Sequence, residues 1–148
     1  FDLKSDSLKE FINSISATIG KAVNDMGWDL DTQIVKITSM WAIVNNKNAF
    51  NEKHHHGNSA LSAAYYLKAD ENAGEIVFFD PRQANVFHHP NAKTPNEINA
   101  QVKSIKPKTG RLVLFPSYLE HKVNPNLSDK ERIVISFNIS LIQKKDLV

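Results

Sequence analysis

The residues with the clearest capacity for chemistry are histidines in two separated groups. A run, His54-His55-His56, is followed 65 positions after His56 by a lone His121, and Arg132 stands 11 positions beyond that. In an extended segment, residues two apart face the same way. His54 and His56 can therefore converge on one metal ion while His55 faces elsewhere. A third imidazole from a distant segment completes one face of an octahedron and leaves positions for a bidentate ligand and oxygen. That is the layout of a mononuclear iron site, of the kind that reacts a keto-acid with oxygen. The competing reading of the run is a polar turn rich in histidine, since such tracts are only a compositional hint. His121 alone would read as a surface residue at a turn.

Arg132 adds a cation of a particular shape. A guanidinium grips a carboxylate through two parallel hydrogen bonds, a geometry lysine cannot reproduce. The spacing from His121 allows one turn and a return onto a neighbouring strand, where Arg132 can hold the far carboxylate of a keto-acid. Its place between Glu131 and Ile133-Val134-Ile135 also fits an ordinary surface charge on a strand. Tyr66 and Ser62 lie four residues apart and share a strand face. The Tyr66 hydroxyl can donate to the same carboxylate and Ser62 can line that pocket, while Tyr65 faces the opposite surface; the alternative is two aromatic core residues. Asp80 and Arg82, in Phe78-Phe79-Asp80-Pro81-Arg82, can line a substrate entrance or form a turn in which Asp80 caps backbone amides. Asp80 is also the nearby carboxylate able to complete a two-histidine, one-carboxylate site, and His55 is a further candidate for that position. His88 and His89 read as exposed loop residues.

These residues need a scaffold of strands. Ser7 and Glu10 have the form of a capping box, and Leu8, Phe11, Ile12, Ile15, Ile19, Ala22, Val23 and Met26 recur at helical spacing. Gly27 is a natural stop, so one amphipathic helix is expected within residues 1–28, bracing a sheet. Strands fill residues 32–141: Gln33 to Ser39, Met40 to Val44, Ala60 to Lys68, Glu75 to Asp80, Val102 to Ile105, Arg111 to Pro116, and Arg132 to Leu141. They are rich in Val, Ile, Phe and Tyr, and turn residues separate them. The long irregular segment from Pro81 to about Asn99 has the length of a functional loop. A helix followed by about seven short strands predicts a mainly β fold, an antiparallel double-sheet jelly roll with the helix packed on one sheet and a pocket at the open end.

The chain's 148 residues suit a single domain, residues 1–148, with one substantial core. A net charge of +2 is too small to argue for nucleic acid or an anionic membrane. Lys103, Lys106, Lys108 and Arg111 read as a solvated edge. With no cysteine, disulfides, thiolate metal sites and cysteine nucleophiles are excluded. No apolar run approaches the roughly 18 residues of a membrane span and no signal peptide is visible, so a soluble cytoplasmic protein is the default expectation. The chain begins at Phe1 rather than Met, and a short native leader is expected to be missing.

Taken in order, several stretches resemble the 2-oxoglutarate and Fe(II)-dependent oxygenases. Within them, it resembles a group of short oxygenases from bacteria and phages. The matching stretches are Asn51-Glu-Lys-His54-His-His56-Gly-Asn-Ser59, Leu61-Ser62-Ala-Ala-Tyr65-Tyr66-Leu67 and Val77-Phe-Phe-Asp80-Pro81-Arg82. They continue with Gly110-Arg-Leu-Val-Leu-Phe115-Pro116-Ser117, His121, and Arg132-Ile-Val-Ile-Ser136-Phe137-Asn138, and together span about two-thirds of the chain. Each stretch is weak singly; the ordered set is fairly specific.

The resemblance implies a double-stranded β-helix core, iron ligation by His54, His56 and His121, and binding of the 2-oxoglutarate carboxylate by Arg132. Distant similarity to prolyl hydroxylases adds Tyr66 and Ser62 to that pocket. The implied activity is a non-haem Fe(II) dioxygenase that consumes O2 and 2-oxoglutarate, releases succinate and CO2, and hydroxylates an unidentified substrate, either a protein side chain or a small molecule. One departure matters. The wider superfamily carries His-x-Asp where this chain has His-x-His, so a neutral third ligand leaves the iron more positively charged and weakens its retention. Two other readings stay open: a cupin-like three-histidine dioxygenase or isomerase that does not use 2-oxoglutarate, and a non-catalytic jelly roll that binds a ligand at its mouth. Oligomeric state is open, a homodimer included.

Overall fold

The computed structural model describes residues 5–82 and 90–147, so His88 and His89 lie outside the described residues. Helix α1 spans Asp6–Asp25 and turns out through Met26 and Gly27, the glycine at φ +67°. A left-handed backbone there is what glycine tolerates without steric cost. The start differs from the expected capping box at Ser7: Ser5 occupies the cap position, in extended backbone and without a side-chain cap bond. The helix is held by its apolar face instead, where Ile15, Ile19 and Val23 are buried, as is usual when packing outweighs local propensity.

Eight strands follow: β1 (Gln33–Asn45), β2 (Asn51–His54), β3 (Leu61–Lys68), β4 (Ile76–Phe79), β5 (Val102–Ile105), β6 (Leu112–Pro116), β7 (His121–Val123) and β8 (Arg132–Gln143). A final 3-10 turn covers Lys144–Leu147. The strands form two antiparallel four-stranded sheets, ordered β1-β8-β3-β6 and β2-β7-β4-β5. The first sheet departs from expectation at β1, which is one long strand rather than two. An irregularity between Ile37 and Ser39 shifts its register against β8 without ending it, as a bulge does. The second sheet contains two strands not anticipated from sequence, β2 and β7, each of four residues or fewer.

Strand alternation divides the interior into two cores. On the outer face of the first sheet, Leu61, Ala63, Phe137 and Ile139 pack with Ile15, Ile19 and Val23 of α1. Tyr65 faces that side too, its ring meeting Phe11 edge-on at 5.0 Å. On the inner face, Ala64, Tyr66, Val113, Phe115 and Val134 pack against Ile76 and Phe78 of the second sheet. Each fully buried Ile or Phe contributes about 1.5–3 kcal/mol by leaving water, so both interfaces hold the sheets that carry the polar residues of interest. Among the described residues, no helix is long and apolar enough to cross a membrane.

Candidate active site

A cavity of ≈ 150 Å³ lies between the sheets, and residues of both line it. Parity accounts for most of the lining: Trp41, Ile43 and Asn45 alternate along β1, Ser62, Ala64 and Tyr66 along β3 (with Ala63 reaching the edge), and Arg132, Val134, Ser136 and Asn138 along β8. The second sheet contributes Asn51, His54, Ile76, His121 and Val123.

His54, His56 and His121 meet at one end. Their potential ligand atoms all lie within 4.8 Å of one another, a grouping that can hold a metal ion. His54 closes β2 directly opposite His121, which opens β7. His56 lies beyond the strand end, where its backbone N–H donates to the Ser117 carbonyl at 2.9 Å. His56 thus falls on the same side as His54, two residues on, although β2 itself ends at His54. The ring centroids are 4.3 Å apart for His54 and His121 and 5.2 Å for His56 and His121. His55 is exposed, and neither it nor Asp80 belongs to this grouping among the described residues.

Hydrogen bonds set the ring tautomers. Nδ1 of His54 donates to the Glu52 carbonyl at 2.7 Å, and Nδ1 of His121 to the Leu119 carbonyl at 2.9 Å. Both rings then present an unprotonated Nε2, the form that ligates metals. Burial holds the His121 imidazole down to about 4, against a lesser upward push from the Leu119 carbonyl. Burial also lowers His56. Phe115 packs edge-on against the His121 ring at 4.7 Å, and Trp41 lies 5.9 Å from His56 at the rim.

Arg132 lies on the same cavity, 1% exposed. Its Nη1 donates to the Ala73 carbonyl and, at 3.3 Å each, to the carbonyls of Gly74 and Asn124. Nη2 is buried with no hydrogen-bond partner. The cradle depends on Gly74, which sits at φ +86°. A Cβ there would overlap the Asn124 carbonyl oxygen and come within 2.7 Å of Nη1. An unpaired donor of a buried guanidinium is costly unless a ligand satisfies it. Tyr66, also 1% exposed, shares the cavity, and burial pushes its hydroxyl above the usual phenol range while the Arg132 charge pulls the other way.

Ser62 belongs to a buried polar chain. Its hydroxyl donates to Oδ1 of Asn138 at 2.8 Å and pairs with the Ser117 hydroxyl at 2.8 Å, while Nδ2 of Asn138 donates to the Ser39 hydroxyl at 3.1 Å. Four residues with no role expected from sequence also belong here: Asn138, Asn45 and Trp41 line the cavity, and Ser117 pairs with Ser62. Counting by twos from Arg132 along β8 would have found Asn138 on the cavity face. Asp80 and Arg82 are elsewhere. They pair with each other, Nη2 to Oδ2 at 2.8 Å, and line a separate cleft with Phe79, Pro81, Glu97 and Lys103.

An antiparallel double sheet here carries, on one cavity, three clustered imidazoles able to hold a metal ion and a buried guanidinium with an unpartnered Nη2. The chain belongs to the 2OG-Fe(II) oxygenase family: the family model described as "Putative 2OG-Fe(II) oxygenase" matches residues 39–138. Similar solved structures include a prolyl-4-hydroxylase from Pseudomonas putida, 17% identical over 93% of this chain and 67% of that one, TM-score 0.62. A 2OG-Fe(II) oxygenase family oxidoreductase from Burkholderia pseudomallei is 15% identical over 73% of this chain and 46% of that one, TM-score 0.57. The epimerase SnoN, in complex with Fe3+, alpha ketoglutarate and nogalamycin RO, is 13% identical over 72% and 50%, TM-score 0.53. At these identities the likeness establishes a shared fold. This chain spans about half the length of the Burkholderia and SnoN chains. No curated protein matches it in sequence.

Proposed function

We propose that this chain is a non-haem Fe(II)- and 2-oxoglutarate-dependent dioxygenase that hydroxylates a protein side chain or small molecule, releasing succinate and CO2. In this reading residues 1–148 form one double-stranded β-helix domain. His54, His56 and His121 hold the metal, and Arg132 and Tyr66, with Ser62 beside them, hold the co-substrate. The observation that carries it is one cavity with three convergent imidazoles and a buried guanidinium whose Nη2 lacks a partner.

The residues present fit the groups proposed. Imidazole nitrogens suit Fe(II), and an unpartnered buried guanidinium N–H suits a carboxylate oxygen. When bound, iron with 2-oxoglutarate supplies oxidation of a substrate C–H by oxygen, coupled to loss of CO2 from the keto-acid.

The protein's part is placement and exclusion of water. The Glu52 and Leu119 carbonyls keep the His54 and His121 rings turned with Nε2 outward. Because Nη1 is committed to carbonyls, Nη2 is the arm of Arg132 left for a carboxylate, and the Tyr66 hydroxyl can supply a second donor. Burial keeps that hydroxyl protonated, the state in which it donates. Phe115, Ile76, Val123 and Val134 close the walls with apolar surface, which strengthens each polar contact inside. Asp80 and Arg82, on their own cleft, are assigned to the approach of the primary substrate. A cupin-like enzyme that uses no keto-acid would leave the buried Arg132 without a purpose.

The test is succinate formation by purified protein supplied with Fe(II), oxygen and 2-oxoglutarate. Slow substrate-independent turnover is expected, and it should vanish in His121→Ala. Absence of succinate together with no calorimetric 2-oxoglutarate binding would sink the proposal.

A further inference from the structure

Charge is unevenly distributed around the cavity. Among the described residues that line it, Arg132 carries a fixed positive charge and none is Asp or Glu. The Nη1 partners of Arg132 are neutral carbonyls and Nη2 has none. Nor is Tyr66 a counter-ion, because burial keeps its hydroxyl protonated.

Acids near the site residues in sequence are engaged with other cations. Glu120 pairs with Lys53 at 2.5 Å and Glu131 with Lys68 at 3.8 Å at the surface, and Asp80, its side chain 9% exposed, pairs with Arg82 at 2.8 Å on the separate cleft. Glu52 is exposed, and its backbone carbonyl is what His54 engages. The histidine cluster itself contains no carboxylate.

A divalent ion at the three histidines therefore shares a low-dielectric cavity with an uncompensated guanidinium. Like charges confined in this way repel far more than they do in water, and a buried charge left unpaired is costly. On the reading that this site takes a metal ion and a keto-diacid, we propose that it admits dication and dianion as a coupled pair. Arg132 opposes the metal until a dianion arrives, and the dianion brings the counter-charge that no described residue lining the cavity supplies. The cavity holds three positive charges with metal alone and one when the dicarboxylate is present. Coupling of this kind is reciprocal, so the metal raises dicarboxylate affinity by the same factor. Arg132 thus has two opposed effects: it recruits the co-substrate and suppresses retention of metal in its absence.

Calorimetric titration of the full chain with Co(II), with and without 2-oxoglutarate, tests this without turnover. In wild type, 2-oxoglutarate should tighten Co(II) binding by roughly a hundredfold. Arg132→Gln removes the charge; it should bind Co(II) alone about tenfold tighter than wild type and lose most of the enhancement. His56→Asp supplies an internal counter-charge without touching Arg132. It too should bind Co(II) alone about tenfold tighter, with a smaller enhancement than wild type.

The coupling is overturned if folded Arg132→Gln binds Co(II) alone no tighter than wild type, or if His56→Asp keeps the full enhancement. Should Arg132→Gln fail to fold, the His56→Asp comparison decides. Wild type that binds both ligands while these variants behave as just described loses only the coupling. Wild type that binds neither Co(II) nor 2-oxoglutarate loses the proposed function as well.

Discussion

The two ends of the cavity are built from different material. At the arginine end, Arg132 opens the 12-residue β8 and Tyr66 lies in the eight-residue β3, the two central strands of their sheet. Both side chains are 1% exposed. At the histidine end, His54 and His121 sit on strands of four and three residues, and His56 lies just beyond the end of β2. Exposure there is graded: His54 exposed, His56 half-buried, His121 buried. The deep end is anchored by core packing on both sides of its sheet, whereas the rim is held by short ladders, two register pairs between β2 and β7 and three between β4 and β7. A group that must stay fixed is therefore placed in the part of the fold with the highest cost of opening. On the proposed reading, the group that would admit oxygen and hold metal sits on the shorter strands, with more exposure.

The sharpest way to separate the two ends is to remove one at a time. His121→Ala should abolish the histidine end, weakening Co(II) binding by at least about a hundredfold, measured by calorimetry. A fall no greater than a fewfold would mean that the cluster is not the metal site. Gly74→Ala attacks the arginine end from behind. An added Cβ at φ +86° meets the Asn124 carbonyl and Arg132 Nη1, so about 2 kcal/mol or more of stability is expected to go. The 2-oxoglutarate affinity should fall about tenfold as Nη2 is re-aimed, since small displacements of a positioning group are costly. Co(II) binding without 2-oxoglutarate should stay within a few-fold of wild type. Equal losses in both ligands would show that the ends are not separable.

The same contrast governs what was legible in the sequence. The long strands β3 and β8 were readable from their β-branched, aromatic and aliphatic content, and spacing put Ser62 and Tyr66 on one face; the direction of Arg132, between Glu131 and an apolar run, was open until the fold placed it on the same cavity. Helix α1 was readable from its apolar stripe, although its start was set by packing rather than by the box at Ser7. The strands carrying His54 and His121 were not readable. Each is short, and their residues, Asn-Glu-Lys-His and His-Lys-Val, carry little β signal because pairing with neighbours defines them. The grouping of His54 with His56, expected from strand alternation, falls at and just beyond the end of β2, where the His56 N–H is tied to the Ser117 carbonyl. The carbonyl cradle of Arg132 is a tertiary feature. Only the glycine at position 74 hinted at it, and a glycine in a turn has many other uses.

Acidification should loosen the histidine end in the metal-free protein. Burial holds folded His121 neutral down to about 4, while in an unfolded chain the same ring takes a proton near its ordinary value of about 6.5. Between those two values the unfolded state binds more protons, so stability is fully present above the upper one and falls as pH drops toward the lower. At about 1.4 kcal/mol per pH unit, His121 alone accounts for a loss of up to about 3 kcal/mol, and His56 is lowered in the same sense. Urea midpoints taken across this window should fall in wild type and fall less steeply in His121→Leu. Identical slopes in the two proteins would mean that the ring is not buried in solution as it is here.

The smallest expected effect is also the most selective, and it tests whether the arginine end grips with one side chain or two. Tyr66→Phe deletes a single oxygen. The ring keeps its place in the inter-sheet core beside Ala64, Val113 and Val134, so stability should change little. If the hydroxyl donates to the same carboxylate as Arg132 Nη2, its loss removes one hydrogen bond to a charged group, worth about 1.5 kcal/mol or more. Affinity for 2-oxoglutarate should then weaken roughly tenfold. The histidine end makes no use of that oxygen, so Co(II) binding alone should be unchanged. An unaltered 2-oxoglutarate affinity would reduce Tyr66 to packing and leave the guanidinium as the sole donor. A parallel loss in Co(II) binding would instead show that the deep end communicates with the rim through the inter-sheet core, and the two-part division of the cavity would have to be abandoned.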